Sequence, residues 1–187
     1  MPYCAQTFSS AKDAVEATIQ LLTPLKDIVT NPAMVFDIDE TLLYNHPSND
    51  EKFTKNPPIV ALYNWGRQNA IDMFIVTARP KEPANCKWTE DILKKIKIEG
   101  YKKIYFKPRE EKDACSSQAK WKYRELICTK YNQTILVSVG DKWGDLLDMY
   151  DDGNTAFANT IGGDKAQYHL VTGDRYSVFG LKLKDDE

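Results

Sequence analysis

Hydrophobic positions follow two rhythms along this chain. Ala11, Ala14, Val15, Thr18, Ile19 and Leu22 fall on one stripe of a 3.6-residue helix, with Ser10 as N-cap and Pro24 closing it; the N-terminal helical region spans about 10–29. From Met34 the rhythm changes to short apolar runs, Met34 to Ile38, Ile71 to Val76, Ile104 to Phe106, Ile135 to Val139 and Thr155 to Ala158, which predict five buried strands. Between them helical spacing returns at Pro57 to Ala70. It returns again at Trp88, Ile92, Leu93 and Ile96 before Gly100, and at Ala119, Tyr123, Leu126, Ile127 and Lys130 after Ser116 and Ser117. Strand alternating with helix predicts an α/β fold, a Rossmann-like parallel sheet of about five strands with helices on both faces. Lys182 to Glu187 reads as a solvated tail.

Composition narrows the class without naming a chemistry. The 187 residues suit one domain with a sizeable core, and 42% hydrophobic with 28% charged residues excludes intrinsic disorder. No apolar run approaches the roughly 18 residues that cross a bilayer as a helix. With 25 Lys and Arg against 27 Asp and Glu the net charge is −2, so no global field gathers nucleic acid. Cys4, Cys86, Cys115 and Cys128 form no CxxC pair and so write neither a zinc knuckle nor a dithiol redox motif. The opening MPYCAQTFSS has no basic segment followed by an apolar core, so the chain reads as cytoplasmic if no leader has been removed from it. The oligomeric state is left open, a homodimer included.

Chemistry enters where the strands end. In a parallel sheet, ligands sit beyond the carboxyl ends of the strands. There this sequence places Asp37-Ile38-Asp39-Glu40-Thr41, then Thr77-Ala78-Arg79-Pro80, then Gly140-Asp141-Lys142-Trp143-Gly144-Asp145. Two like charges about 4 Å apart repel by about 4 kcal/mol at an effective dielectric near 20, so Asp37, Asp39, Asp141 and Asp145 together call for a cation. Oxygen donors without His or Cys point to a hard ion, and Mg2+ is favoured where a substrate phosphate completes the octahedron. A lysine would offset the remaining charge. Gly162-Gly163-Asp164-Lys165 lacks the spacing of a phosphate-binding loop and is set aside.

These motifs, in this order, resemble the haloacid dehalogenase (HAD) superfamily. Phe36 to Leu43 is similar to its first motif, DxDxT, Ile75 to Arg79 to its second, and Val139 to Leu147 to its fourth, GDxxxD. The setting of Lys120, with Arg124 four residues on, resembles the third motif of the class B/C (subfamily III) acid phosphatases and their plant relatives. Lys107 and Lys122 are the competing lysines. The resemblance covers Met34 to Leu147 and implies a single HAD-like phosphatase domain with a minimal cap or none, its only cap-like insert lying at about 44–58.

The resemblance further implies a Mg2+-dependent phosphomonoester hydrolase. Asp37 would be the nucleophile, Asp39 the general acid and then base, and Thr77 and Lys120 the other catalytic groups. Thr77, Ala78, Arg79, Lys120 and Trp143 would contact substrate. Asp37, Asp141, Asp145 and the Asp39 backbone carbonyl would surround the metal. A receiver domain, which also carries several Asp, a Thr and a Lys, is excluded because its acidic pair comes first, whereas here DxD comes first. Two alternatives stay open: a protein phosphoserine phosphatase, which the DxDETL stretch also resembles, and a non-catalytic storage homologue, against which the intact Asp37 speaks.

Overall fold

The computed structural model describes residues 5–44, 54–109, 116–146, 167–174 and 176–184. The elements are β1 (Ala5–Phe8), α1 (Ala11–Leu25), β2 (Pro32–Phe36), β3 (Leu43–Tyr44), β4 (Thr54–Lys55), α2 (Pro57–Gln68) and β5 (Asp72–Pro80). After these come α3 (Pro83–Lys95), β6 (Lys103–Lys107), α4 (Ser116–Lys130), β7 (Thr134–Gly140), β8 (Tyr168–Thr172) and β9 (Ser177–Lys182). Among the described residues, seven strands form one sheet in the order β1, β8, β9, β7, β2, β5, β6. The pairs from β9 through β7, β2 and β5 to β6 are parallel, while β8 runs antiparallel to both β9 and β1.

Alternation along the central strands sorts the side chains onto two cores. Met34 and Phe36 of β2 and Met73 and Ile75 of β5 pack with Leu22 of α1, Tyr63 of α2 and Leu93 of α3. Ala33 and Val35 of β2 and Phe74 and Val76 of β5 face Ile127 of α4. The mostly parallel, doubly covered sheet agrees with the α/β expectation, because strands buried on both faces read as continuous apolar runs. By the same parity, the residue after Phe36 belongs to the face that α4 covers. That residue is Asp37, whose amide still donates to Val139 O at 3.0 Å and so prolongs the β2 to β7 ladder.

Several expectations need correction. The expected strand at Thr155 to Ala158 lies outside the described residues. The fifth parallel strand is β9, and β1 and β8 extend the sheet beyond five. The expected solvated tail does not begin at Lys182: Lys182 and Leu183 are buried, and the Leu183 amide donates to Gly140 O at 2.8 Å. Lys182 is held inside because its Nζ donates to Leu183 O at 2.6 Å and lies 5.8 Å from the centre of the Trp143 ring. Pro24 falls within α1, in its last turn, instead of stopping it, and the helix ends at Leu25, short of residue 29. The α3 helix begins at Pro83, five residues before the first apolar position of its stripe, with the proline at the helix start where its missing N–H costs nothing. Of the cap-like insert, Leu43 and Tyr44 pair antiparallel with Lys55 and Thr54, and 45–53 lie outside the described residues.

One glycine is fixed by close approach. β7 ends at Gly140, and the chain then folds into a single 3-10 turn, Trp143–Asp145. A Cβ on Gly140 would lie 2.2 Å from Asp145 Oδ2 and 2.3 Å from Asp145 Cβ. Gly140→Ala must displace Asp145, and overpacking of that kind costs about 1–3 kcal/mol. Thermal unfolding is expected to show a lowered Tm, and an unchanged Tm would contradict the packing.

Candidate active site

The site stands at the carboxyl ends of β2, β5 and β7, with α4 closing one side. After β2 the backbone enters an irregular turn over Ile38–Leu42, in which Glu40 takes a left-handed φ of 53°, a costly conformation for a residue with a Cβ. This turn leaves Asp37 on the α4 face and carries Asp39 across toward the end of β5. The two acids therefore meet different partners although only one residue separates them.

Asp37 faces α4. Lys120 Nζ lies 2.9 Å from Asp37 Oδ2 and also donates to Asp145 Oδ1, while all three side chains are less than 10% exposed. Asp145 is held from its other side as well, its Oδ2 accepting the Lys142 amide at 3.0 Å. Oxygens of Asp37, Asp141 and Asp145 lie within 4.8 Å of one another. Lys142 Nζ, on a largely exposed side chain, stands 3.3 Å from Asp141 Oδ2. Lys107 is only partly buried beside β6 and Lys122 is exposed, so of the three lysines considered it is Lys120 that the fold brings to the acids.

Burial pushes the Asp37 carboxyl up to about 8; Lys120 opposes this, and the charges of Asp145, Asp141 and Asp39 add to it. Asp141 is raised to about 6, first by burial and then by Asp145, against the pull of Lys142 and Lys120. Burial alone would lower the Lys120 ammonium, but the facing Asp145 and Asp37 carboxylates overcome it and raise the net value. With all three acids ionised, the buried Lys120 ammonium leaves two negative charges, one of them faced by the largely exposed Lys142.

Asp39 is not in that cluster. Its carboxylate accepts two hydrogen bonds from Arg79, Nε to Oδ2 at 2.9 Å and Nη2 to Oδ1 at 2.6 Å. Arg79 is itself fixed: Nη1 donates to Thr89 Oγ1 at 3.1 Å, and the guanidinium carbon sits 4.8 Å from the centre of the Trp88 ring. From the resemblance Arg79 is expected as a substrate contact. It is 4% exposed, and α3 supplies the residues that hold it. Thr77 is buried and accepts the Arg79 amide at 3.2 Å, whereas Ala78 between them is exposed.

Trp143 packs beside residues of β8 and β9. Its ring is 8% exposed and lies 5.9 Å from the His169 ring of β8. Arg124, visible in the sequence only as a residue one turn beyond Lys120, is fully buried. Its Nη1 donates to the carbonyls of Gly144 at 3.1 Å and Asp145 at 2.6 Å.

The residues fit a hard divalent cation. Asp37 Oδ1 is buried without a hydrogen-bond partner among the described residues, and the neighbouring donors are carboxylate oxygens alone. A buried anionic oxygen left unsatisfied is costly, and a cation removes that cost.

Comparison with known proteins agrees with the geometry. Among solved structures, the class C acid phosphatase from Bacillus anthracis superposes with a TM-score of 0.62 at 17% identity, over 81% of this chain and 71% of that one, and so shares the fold. No curated protein matches the sequence. The family model for the HAD superfamily, subfamily IIIB (acid phosphatase), matches residues 48–162, a stretch that holds Thr77, Arg79, Lys120, Asp141 and Asp145. The chain therefore belongs to the subfamily IIIB acid phosphatases of the HAD superfamily and is a phosphatase.

Proposed function

We propose that this single-domain chain is a Mg2+-dependent phosphomonoester hydrolase that passes the phosphoryl group through Asp37. The observation that carries the reading is the buried trio Asp37, Asp141 and Asp145, gathered around Lys120 with the Asp37 Oδ1 atom unpartnered. Asp37, Asp141, the Asp39 carbonyl and Asp145 would hold Mg2+, Asp145 directly or through water; when bound, the ion neutralises carboxylate charge and polarises the phosphoryl oxygens.

The chain's own groups supply the rest. The Asp37 carboxylate attacks phosphorus, the ester P–O bond breaks, and the leaving oxygen takes a proton from Asp39. Water then attacks the aspartyl-phosphate, Asp39 accepts the proton of that water, and phosphate leaves with the Asp37 carboxylate restored. To serve as donor, Asp39 turns out of its two hydrogen bonds to Arg79, in which both of its oxygens are acceptors. Thr77 accepts from the Arg79 amide, which leaves its own O–H to donate to a phosphoryl oxygen beside the Ala78 amide. Lys120 sets the orientation of the nucleophile and balances charge as phosphorus adds to it.

The shortness of the cap-like insert in the sequence, together with the pairing of β3 with β4 at its two flanks, supports an open or minimally lidded site that takes small phosphomonoesters broadly. Arg79, if Asp39 releases it, meets an incoming phosphate; Trp143 in its packed position contributes by holding the loop. A panel of nucleotides, sugar phosphates and phosphoserine peptides separates broad from selective use, and strong selectivity for one metabolite would overturn the open-site reading.

Four outcomes follow. Asp37→Asn is expected to lower kcat with an aryl phosphate by at least about 1,000-fold, and retained turnover would overturn the assignment. Asp39→Asn is expected to cost about 100- to 10,000-fold with an alkyl phosphate, which needs a proton on its leaving oxygen, and much less with p-nitrophenyl phosphate; equal losses would contradict the acid role. Asp37 and Asp141 hold their protons more tightly folded than unfolded, so in the metal-free protein their contribution to stability is present at low pH and is lost as pH rises through about 6 to 8. Mg2+ is therefore expected to raise Tm more at pH 8 than at pH 5, and Asp141→Asn to raise Tm of the chelator-treated protein at pH 8; the opposite signs would contradict the charge account.

A further inference from the structure

The loop that bears Asp141 and Asp145 is secured from a part of the fold that the phosphatase reaction does not otherwise use. Arg124 lies four residues after Lys120 on α4, so both side chains leave the same helix face. Lys120 grips the Asp145 side chain; Arg124 grips its main chain through the Gly144 and Asp145 carbonyls. The third contact of the guanidinium is an ion pair, Arg124 Nη2 to Asp174 Oδ2 at 2.9 Å, with side chains 0% and 6% exposed. The other oxygen, Asp174 Oδ1, accepts the Tyr176 and Ser177 amides at 2.9 and 3.0 Å, where the chain turns into β9. A cation as deeply buried as Arg124 needs a counter-charge, and Asp174 supplies it.

We propose that Arg124 and Asp174 are positioning residues for the metal-site acids: the β8 to β9 turn holds Arg124, and Arg124 fixes the main-chain direction of the Trp143–Asp145 turn and with it the spacing of Asp141 and Asp145 from Asp37. The Trp143–Asp145 turn is held besides through its side chains, Asp145 by Lys120 and the Lys142 amide and Trp143 by its packing beside His169 and Lys182. Its internal bonds are Asp145 N–H to Lys142 O and Leu146 N–H to Trp143 O, each at 3.0 Å, and these fix its curl and not its placement over the sheet. Arg124 also lines, with Asp37, Lys120 and Asp145, one small pocket, so its side chain stands among the same groups as both carboxylates. The cation reading of the site underlies one arm of the test; the geometric claim stands apart from it.

Asp174→Asn is the decisive variant, because the amide oxygen can still accept the Tyr176 and Ser177 amides while the charge facing Arg124 is gone. Arg124→Lys is the companion variant, since an ammonium cannot reach two carbonyls and a carboxylate together. Mg2+ affinity measured by calorimetry without substrate is expected to weaken about tenfold or more in both, as it does when partners that orient metal ligands are removed. The double variant should lose little more than either single one. Hydrogen exchange, read without metal, is expected to speed up at Asp145 and Leu146 and to stay unchanged in β2. Unchanged affinity and exchange, with only Tm lowered, would overturn the proposal, as would failure of both variants to fold, since either result makes the pair a support of the fold alone. Should the parent protein bind no Mg2+, the metal reading falls, and the exchange arm still decides the positioning claim.

Discussion

Much of this structure turns on one electrostatic constraint: three carboxylates share a buried space with a single ammonium. Asp37 and Asp145 each meet Lys120, and Asp141 lies within reach of both acids. In a low-dielectric pocket such a group is unstable unless cations approach from fixed positions. The fold supplies those positions. Strand parity turns Asp37 toward α4, α4 delivers Lys120 in its second turn, and Gly140 lets Asp145 press against the end of β7.

Asp39 shows the same constraint resolved the other way. Had its carboxylate joined the cluster, a fourth charge would need compensation there. The turn at Glu40 instead sends it to Arg79, which Thr89 and Trp88 of α3 hold at the end of β5. Two acids one residue apart thus acquire separate environments, one against a lysine and two further carboxylates, the other against a guanidinium. Separate environments are what a nucleophile and a proton donor require.

The central motifs were legible in the sequence because they combine a run of apolar residues with acids that such a run cannot tolerate without a partner. Met34 to Ile38 followed by Asp39, and Ile135 to Val139 followed by Asp141, both announce a parallel strand and the chemistry at its end. The C-terminal hairpin was not legible. β8 carries His169 and β9 is interrupted by Gly180, so neither reads as an apolar run, and Lys182 looks solvated although Trp143 and the Leu183 carbonyl keep it inside. Arg124 could be seen as Lys120's neighbour on the helix. Its partner Asp174 could not, because fifty residues separate the two and only tertiary packing joins them.

The account's central claim is that the phosphoryl group passes through Asp37 at a site completed by Mg2+. Acid quenching during turnover of an aryl phosphate, followed by mass analysis of the peptide that contains Asp37, tests it most directly. The account predicts the mass of one added phosphoryl group on that peptide, present with Mg2+ and absent after chelation or in Asp37→Asn. Turnover that continues in the chelated protein, or a phosphoryl group found only on another residue, would contradict it.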